Sequence, residues 1–483
     1  MELDQDLKAR QEARDLAVQA QSAAETLAQW DQARLDRAAE AVSQAGLRHA
    51  RELAELAAAE TGFGNARDKE TKNRFAAGTV YEAVRDLRTV GILAEHPEQK
   101  VWDVGVPVGV IAGIVPSTNP TSTVLYKALI ALKAGSPIVF SPHPAAAKCT
   151  RRAVEVVSEA AVRAGCPAGS VSALSVPSLA AVDELMHCSQ VRLILATGGP
   201  AMVRAAYSAG KPAIGVGPGN GPAYLHRTAD LPQAVADIVA SKTFDGGVVC
   251  ASEQSVVVEA SMEAAVRAEM TRQGCCFLDT GQAGRLAKLL FRPNGALNPA
   301  VVGKPALELA RMAGLTGVPA DVRVLVARED EAGPTHPYSR EKLCPVLAFF
   351  VEPDEDRILE KSCAILRHEG SGHTYVIHAR DEAVIRRFAL RVPVSRFLVN
   401  TPAALGGIGA TTGLFPAMTL GCGAVGGSSS SNNIGPLDLI NIRRVAWGME
   451  RPAPGHTTTE ADSEALVEAL TARILEKLNV NFR

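Results

Sequence analysis

Three short segments carry residue types that could do chemistry. In SKTFDGGVVCASEQS, residues 241–255, Cys250 follows Gly246, Gly247 and two valines, and a strand-like run comes after it. A thiolate attacks carbonyl carbon readily, and glycines beside it let backbone N–H groups approach a bound carbonyl oxygen. On local sequence alone, a Cys in an apolar run is more often an inert core residue. In VPSTNPTS, residues 115–122, Asn119 stands in a polar turn between a strand end and a helix start. An Asn amide can donate to an oxyanion without titrating. The plainer role for such a turn is a helix cap by Ser117, Thr118 or Thr121. In LILATGGPAMV, residues 193–203, Thr197, Gly198 and Gly199 join a strand to a helix. There, backbone N–H groups and a helix N-terminus can receive a phosphate.

Other segments are weaker. GVGPGNG at 215–221 and GCGAVGG at 421–427 come near G-x-G-x-x-G. Neither is followed by a clear helix, so both read as tight loops rather than dinucleotide fingerprints. His368, His373 and His378 are spaced by five, which suits neither a helix face nor a zinc motif. His373, beside Gly372, could touch a substrate or leaving group, or could be a plain loop histidine. The nine cysteines form no CxxC pair, so no metal centre is expected.

These residues need elements to hold them. Residues 4 to 60 have helical spacing (Leu16, Ala20, Ala24, Leu27) without sustained heptads. VWDVGVPVGVIAGIV, 101–115, reads as strand, turn and buried strand, followed by the helix TSTVLYKALIALKAG closed at Gly135. Short apolar strands then alternate with helices: 145–164 to 171–175, 178–187 to 191–196, and 200–209 to 212–216. This is the rhythm of a parallel sheet covered on both faces. A second α/β block follows Cys250, with strands expected at 254–259, 322–327, 346–351, 374–378 and 396–400. Its helices are expected at 261–273, 354–365 and 381–390. A Gly/Ser/Asn-rich loop at 421–435 leads into a last strand, DLINIRRVAWG.

Composition bounds the function. The 483 residues exceed one ordinary core and predict two or three domains. Lys+Arg is 50 against Asp+Glu 52, a net charge of -2, which argues against nucleic acid as the main partner. An odd cysteine count fits reduced thiols in a cytoplasm-like compartment. The charged stretch from Met1 to Arg14 has no signal-peptide core, and no uninterrupted apolar run of membrane-spanning length appears.

Taken together and in order, these motifs resemble the aldehyde dehydrogenase superfamily, within it the CoA-acylating branch. That branch includes the aldehyde half of bifunctional alcohol/aldehyde dehydrogenases and microcompartment propionaldehyde and sulfoacetaldehyde enzymes. EKLCPVLA, NGALNPAVVG, LVNTPAALGGIG, MTLGCGAVGG and GPLDLINIRRVA extend the likeness, which runs from about residue 5 to 447. The resemblance implies an α/β fold with two doubly wound parallel-sheet domains and a small β oligomerisation flap. It implies an NAD/CoA-binding domain from 1–94 and 108–238, a catalytic domain at 239–433, and oligomerisation strands at 95–107 and 434–448. By position, Cys250 matches the catalytic Cys and Asn119 the oxyanion Asn. Thr197, Gly198 and Gly199 match the turn facing the cofactor phosphates, with Ser117 also on the cofactor side. Glu341, in REKLCPV, matches the Glu that holds the nicotinamide ribose, and Thr118 and His373 fall on the substrate side. Pro142 and His143 stand where hydrolytic relatives carry a ribose-reading Lys; its absence implies looser nucleotide binding. Hydrolytic relatives also carry a water-activating Glu where this chain has GVGPGNGP, with Val216 near that position.

The implied reaction is oxidation of a short-chain aldehyde with NAD and coenzyme A through a thioester on Cys250. The aldehyde stays open among acetaldehyde, propionaldehyde and sulfoacetaldehyde, as does NAD against NADP. A hydrolytic enzyme and a non-catalytic scaffold are the alternatives. The resemblance also implies a homodimer or homotetramer. Beyond the core, 452–463 has linker composition and 464–483 reads as an amphipathic helix (Leu466, Leu470, Ile474, Leu475, Leu478). This tail resembles peptides that direct enzymes into bacterial microcompartments through shell or core proteins; a helix packed on its own oligomer is the alternative.

Overall fold

The structure is a computed structural model; it describes residues 4–449 and 460–480. The linker expected at 452–463 lies outside the described residues except for its last four. Four helices open the chain: α1 (Gln5–Leu27), α2 (Gln32–Arg48), α3 (Ala50–Thr61) and α4 (Ala66–Arg74). A π-helical turn at Phe75–Thr79 carries α4 into α5 (Val80–Val84). The alanines of α1 at 9, 13, 17, 20 and 24 are buried, which lets this helix pack closely.

Eight strands follow up to residue 225: β1 (Gly91–His96), β2 (Val101–Pro107), β3 (Val110–Ile114), β4 (Ile138–Ser141), β5 (Val171–Ala173), β6 (Val191–Thr197), β7 (Ala213–Val216) and β8 (Gly221–Leu225). Seven more complete the set: β9 (Glu253–Glu259), β10 (Cys275–Phe277), β11 (Val324–Arg328), β12 (Val346–Glu352), β13 (Gly372–His378), β14 (Val394–Val399) and β15 (Ile440–Ala446).

They form three sheets. A parallel sheet runs β5-β4-β3-β6-β7, and a second parallel sheet runs β10-β11-β12-β9-β8-β13-β14. A small antiparallel sheet runs β1-β2-β15, joining the two segments expected as oligomerisation strands. The chain belongs to the expected α/β class with two doubly wound sheets. Two strands escaped the sequence reading, β10 and β8, and β1 begins at Gly91, ahead of the expected 95; the GPAYL of β8 shows no alternation. Strand β8 lies in the seven-stranded sheet, beside β9.

In the five-stranded sheet the chain steps one way from β3 to β5 and the other way from β6 to β7. The order therefore reverses between β3 and β6, and the carboxyl ends of those strands open a crevice. Helix α6 (Pro120–Lys133) leaves β3 there and is buried along its whole length. Pro120 takes the first helical position, and Gly135 in the left-handed region (φ 73°) ends it. The fully buried Lys127 of α6 donates to the carbonyls of Ile114 (2.7 Å) and Leu195 (2.8 Å), tying the ends of β3 and β6 together. Helices α7 (Ala147–Arg163), α8 (Leu179–His187) and α9 (Pro200–Ser208) cover the same sheet.

The final helix, Glu460–Val480, exposes Leu466, Leu470, Ile474 and Leu475. Among the described residues no helix is long and apolar enough to cross a membrane.

Candidate active site

The crevice between β3 and β6 deepens into a cleft that reaches the turn before β9. Its walls include Ser117, Thr118 and Asn119 from the end of β3, and Thr197, Gly198 and Gly199 from the end of β6. His143, Val216, Gly217, Cys250 and Glu341 complete the part used here. Pro142 lines an adjoining hollow with His143, Thr197 and Leu179. Segments 224 residues apart, from Ser117 to Glu341, thus meet where the sheet topology predicts a ligand.

Asn119 occupies the N-cap position of α6, yet its side chain makes no capping bond. Thr121 donates instead to Asn73 Oδ1 at 2.8 Å, so the plain helix-cap role does not consume this turn. The Asn119 amide donates to Thr118 Oγ1 at 3.1 Å.

Cys250 sits half-buried in the turn between Phe244–Gly247 and β9. Burial pushes its thiol up to about 12, and the charges of Glu341 and Cys422 add to this while Arg396 opposes it. At neutral pH the resting protein therefore holds a protonated thiol. Gly219 packs against this turn: a Cβ there would lie 1.7 Å from the Cys250 carbonyl oxygen. Gly219 also donates its N–H to Glu341 Oε1 at 2.9 Å. Burial, then the charge of Glu369, pushes Glu341 up to about 8.

At the other end of the cleft, α9 begins after Gly199, and no side chain caps its first N–H groups. Thr197 Oγ1 is buried there without a partner among the described residues. An uncapped helix N-terminus and an orphaned hydroxyl fit a bound phosphate. His143 Nδ1 accepts from the Ala145 N–H at 3.1 Å, and burial lowers this histidine.

His373 is not among the cleft-lining residues. Strand β13 is buried over its full length, and His373 Nδ1 pairs with Thr374 Oγ1 at 2.8 Å. Burial, then Arg396, pushes it down to about 3, so it is neutral, and its Nε2 has no partner among the described residues.

Sequence reasoning missed the groups behind Asn119. Lys69 and Lys72 of α4 are 3% and 2% exposed and both pair with Asp245. The only local signal was the i,i+3 spacing of two lysines in a helix with the composition of a solvated face. Gly219 was part of a stretch read as a tight loop.

Comparisons with known proteins agree on one family. The model of the "Aldehyde dehydrogenase family" matches residues 5–274. The bifunctional aldehyde-alcohol dehydrogenase of Escherichia coli K12 is 43% identical over 399 residues, covering 82% of this chain and 45% of that protein. The chain thus spans about half the length of such curated relatives. A probable aldehyde dehydrogenase from Listeria monocytogenes superposes with a TM-score of 0.92 at 55% identity, covering 93% of this chain and 99% of that one. An acetylating aldehyde dehydrogenase from Geobacillus thermoglucosidasius gives 0.91 at 46% identity, covering 94% and 100%.

Proposed function

Because the chain belongs to the aldehyde dehydrogenase family, we propose that it oxidises a short-chain aldehyde to the acyl-CoA thioester, with NAD as hydride acceptor. The observation that carries this reading is the cleft itself, where the Cys250 thiol, the Asn119 amide and the Thr197–Gly199 turn face one space.

Cys250 Sγ bonds to the aldehyde carbon, releasing its proton, and the oxygen gains the negative charge. The amide of Asn119 and the N–H of Cys250 hold that oxygen; removing one such donor typically costs about 10²–10³ in rate. Thr197, Gly198, Gly199 and the N-terminus of α9 would hold the pyrophosphate, with Ser117 alongside and Pro142 and His143 toward the adenosine end. Glu341 would hold the nicotinamide ribose. NAD, when bound, would supply the acceptor for the hydride of the tetrahedral carbon and a positive charge that favours the Cys250 thiolate. The thioester then stays on Cys250. The sulfur of CoA bonds to the acyl carbon, the bond to Cys250 breaks, and the CoA proton returns to Cys250. Thr118, which lines the cleft beside Asn119, would face the aldehyde.

Transfer to CoA rather than water is supported by Val216, an apolar side chain lining the wall near the place where hydrolytic relatives resemble one another in carrying a Glu. It is supported also by the similarity to an acetylating enzyme. Assembly as a homodimer or homotetramer through the β1-β2-β15 sheet belongs to the same reading. So does docking of the exposed face of Glu460–Val480 on microcompartment shell or core proteins.

The test is NADH formation over a panel of acetaldehyde, propionaldehyde and sulfoacetaldehyde, with and without CoA, and with NADP in place of NAD. Turnover should require CoA and vanish in Cys250→Ala. Steady NADH formation without CoA would favour a hydrolytic enzyme, and full activity of Cys250→Ala would refute the proposal.

A further inference from the structure

Helix α4 reads ARDKETKNR, a sequence fit for solvent, yet Lys69, Lys72 and Asn73 are buried. Lys69 Nζ lies 3.0 Å from Asp245 Oδ2, and Lys72 Nζ pairs with the same oxygen at closer range. Asp245 is fully buried and adopts a left-handed conformation (φ 49°) that non-glycine residues rarely take. It is gripped on every side. Its N–H donates to Asp68 Oδ2 at 2.7 Å, and its Oδ1 accepts from the Asn65 N–H at 2.9 Å. Gly64 lies so close that a Cβ there would sit 1.9 Å from Oδ1. A carboxylate held this firmly fixes the lysines that pair with it.

Each lysine has a second acceptor. Lys69 donates to the Thr118 carbonyl at 3.2 Å, and Lys72 donates to Asn119 Oδ1 at 2.5 Å. The latter bond decides the orientation of the amide. A lysine amine with hydrogens directed outward acts here as a donor, so the carbonyl end of Asn119 must face Lys72. The NH₂ end is then turned the other way, where one hydrogen meets Thr118 Oγ1 and the second remains for the cleft. Hydrogen bonding to the amide oxygen also polarises the amide and strengthens its N–H as a donor. Asp245 stands five residues before Cys250, on the same loop.

We propose that Lys72 is a positioning residue: it turns the Asn119 amide so that its N–H faces the reacting carbonyl, and through Asp245 it ties that amide to the loop bearing Cys250. This rests on the reading of Asn119 as an oxyanion donor. The rival account makes Lys72 a buried ion pair that serves folding alone.

Lys72→Met keeps the apolar stem and leaves Asp245 paired with Lys69. Steady-state constants for aldehyde, NAD and CoA are measured in the full chain for Lys72→Met, Asn119→Ala and the double variant. Lys72→Met should lower kcat about 10- to 100-fold, approaching the loss expected for deleting an oxyanion donor, with KM for NAD within about threefold. In the Asn119→Ala background the same change should alter kcat less than about threefold, because no amide is left to orient. Equal multiplicative losses in both backgrounds would overturn the proposal, as would wild-type kcat for Lys72→Met beside a crippled Asn119→Ala. Wild-type kcat for Asn119→Ala would overturn the oxyanion reading and the Lys72 role with it. If Lys72→Met fails to fold, Lys72→Leu, which likewise has no donor for the Asn119 oxygen, takes its place in the cycle with the same criterion of non-additivity.

Discussion

Gly219 offers a sharp test of how closely Cys250, the proposed nucleophile, is held. It makes no direct contribution of chemistry, having no side chain, and alanine is the smallest possible intrusion. A Cβ at 219 would fall 1.7 Å from the Cys250 carbonyl oxygen and 2.6 Å from its carbon. Real Cβ atoms stay beyond 3.0 Å of such neighbours, so Gly219→Ala forces a separation of at least 1.3 Å, the difference between 3.0 and 1.7. The neighbour is backbone, not a flexible side-chain tip, so the Cys250 turn, the 217–220 segment or both must move. Misplacement of a reacting group by about 1 Å can cost about 10²-fold in rate. We expect kcat for CoA-dependent aldehyde oxidation to fall about 100-fold or more, with the melting temperature lowered by only a few degrees. The assay is NADH absorbance under saturating substrates, paired with single-turnover acylation to isolate the Cys250 step. Because the Gly219 N–H also serves Glu341, Glu341→Gln is run beside it. A folded Gly219→Ala protein with kcat within threefold of wild type would refute the reasoning, since the turn would then tolerate displacement without loss.

Two further outcomes follow from the buried charges. Glu341 is raised from 4.5 to about 8, so the folded protein keeps a proton that the unfolded chain releases between those values. Its contribution to stability is therefore lost as pH rises through that window, and the melting temperature of Glu341→Gln relative to wild type should climb from pH 5 to pH 8; a pH-independent difference would contradict this. Lys127→Met would leave the Ile114 and Leu195 carbonyls without their buried donor and should destabilise the first sheet by about 1–3 kcal/mol in urea unfolding; an unchanged midpoint would show that these carbonyls find other partners.

The sequence disclosed the site better than it disclosed what holds the site. Cys250, Asn119 and Thr197–Gly199 stand at strand ends or turns, where type and spacing speak through local context. The β3-turn-α6 reading from 101 to 135 was legible because an apolar run, a polar turn and a closing glycine follow each other. Lys69 and Lys72 were not legible, because burial of a charged helix face depends on Asp245, more than 170 residues away. Strand β8 escaped because Pro222 and the absence of alternation remove the usual strand signal, and only its neighbours β9 and β13 make it a strand. His373 was read as a residue that could touch the substrate, but β13 is buried along its length and His373 is not among the residues lining the cleft.

The connection between β7 and β8 has a mechanical meaning. Four residues, 217–220, carry the chain from one large sheet to the other, and Gly217 and Pro218 face the cleft while Gly219 abuts Cys250. The link between the two large sheets therefore also packs against the turn of the proposed nucleophile, Cys250. A shift of the 217–220 segment would bear directly on the Cys250 turn, since a Cβ at Gly219 would overlap the Cys250 carbonyl oxygen.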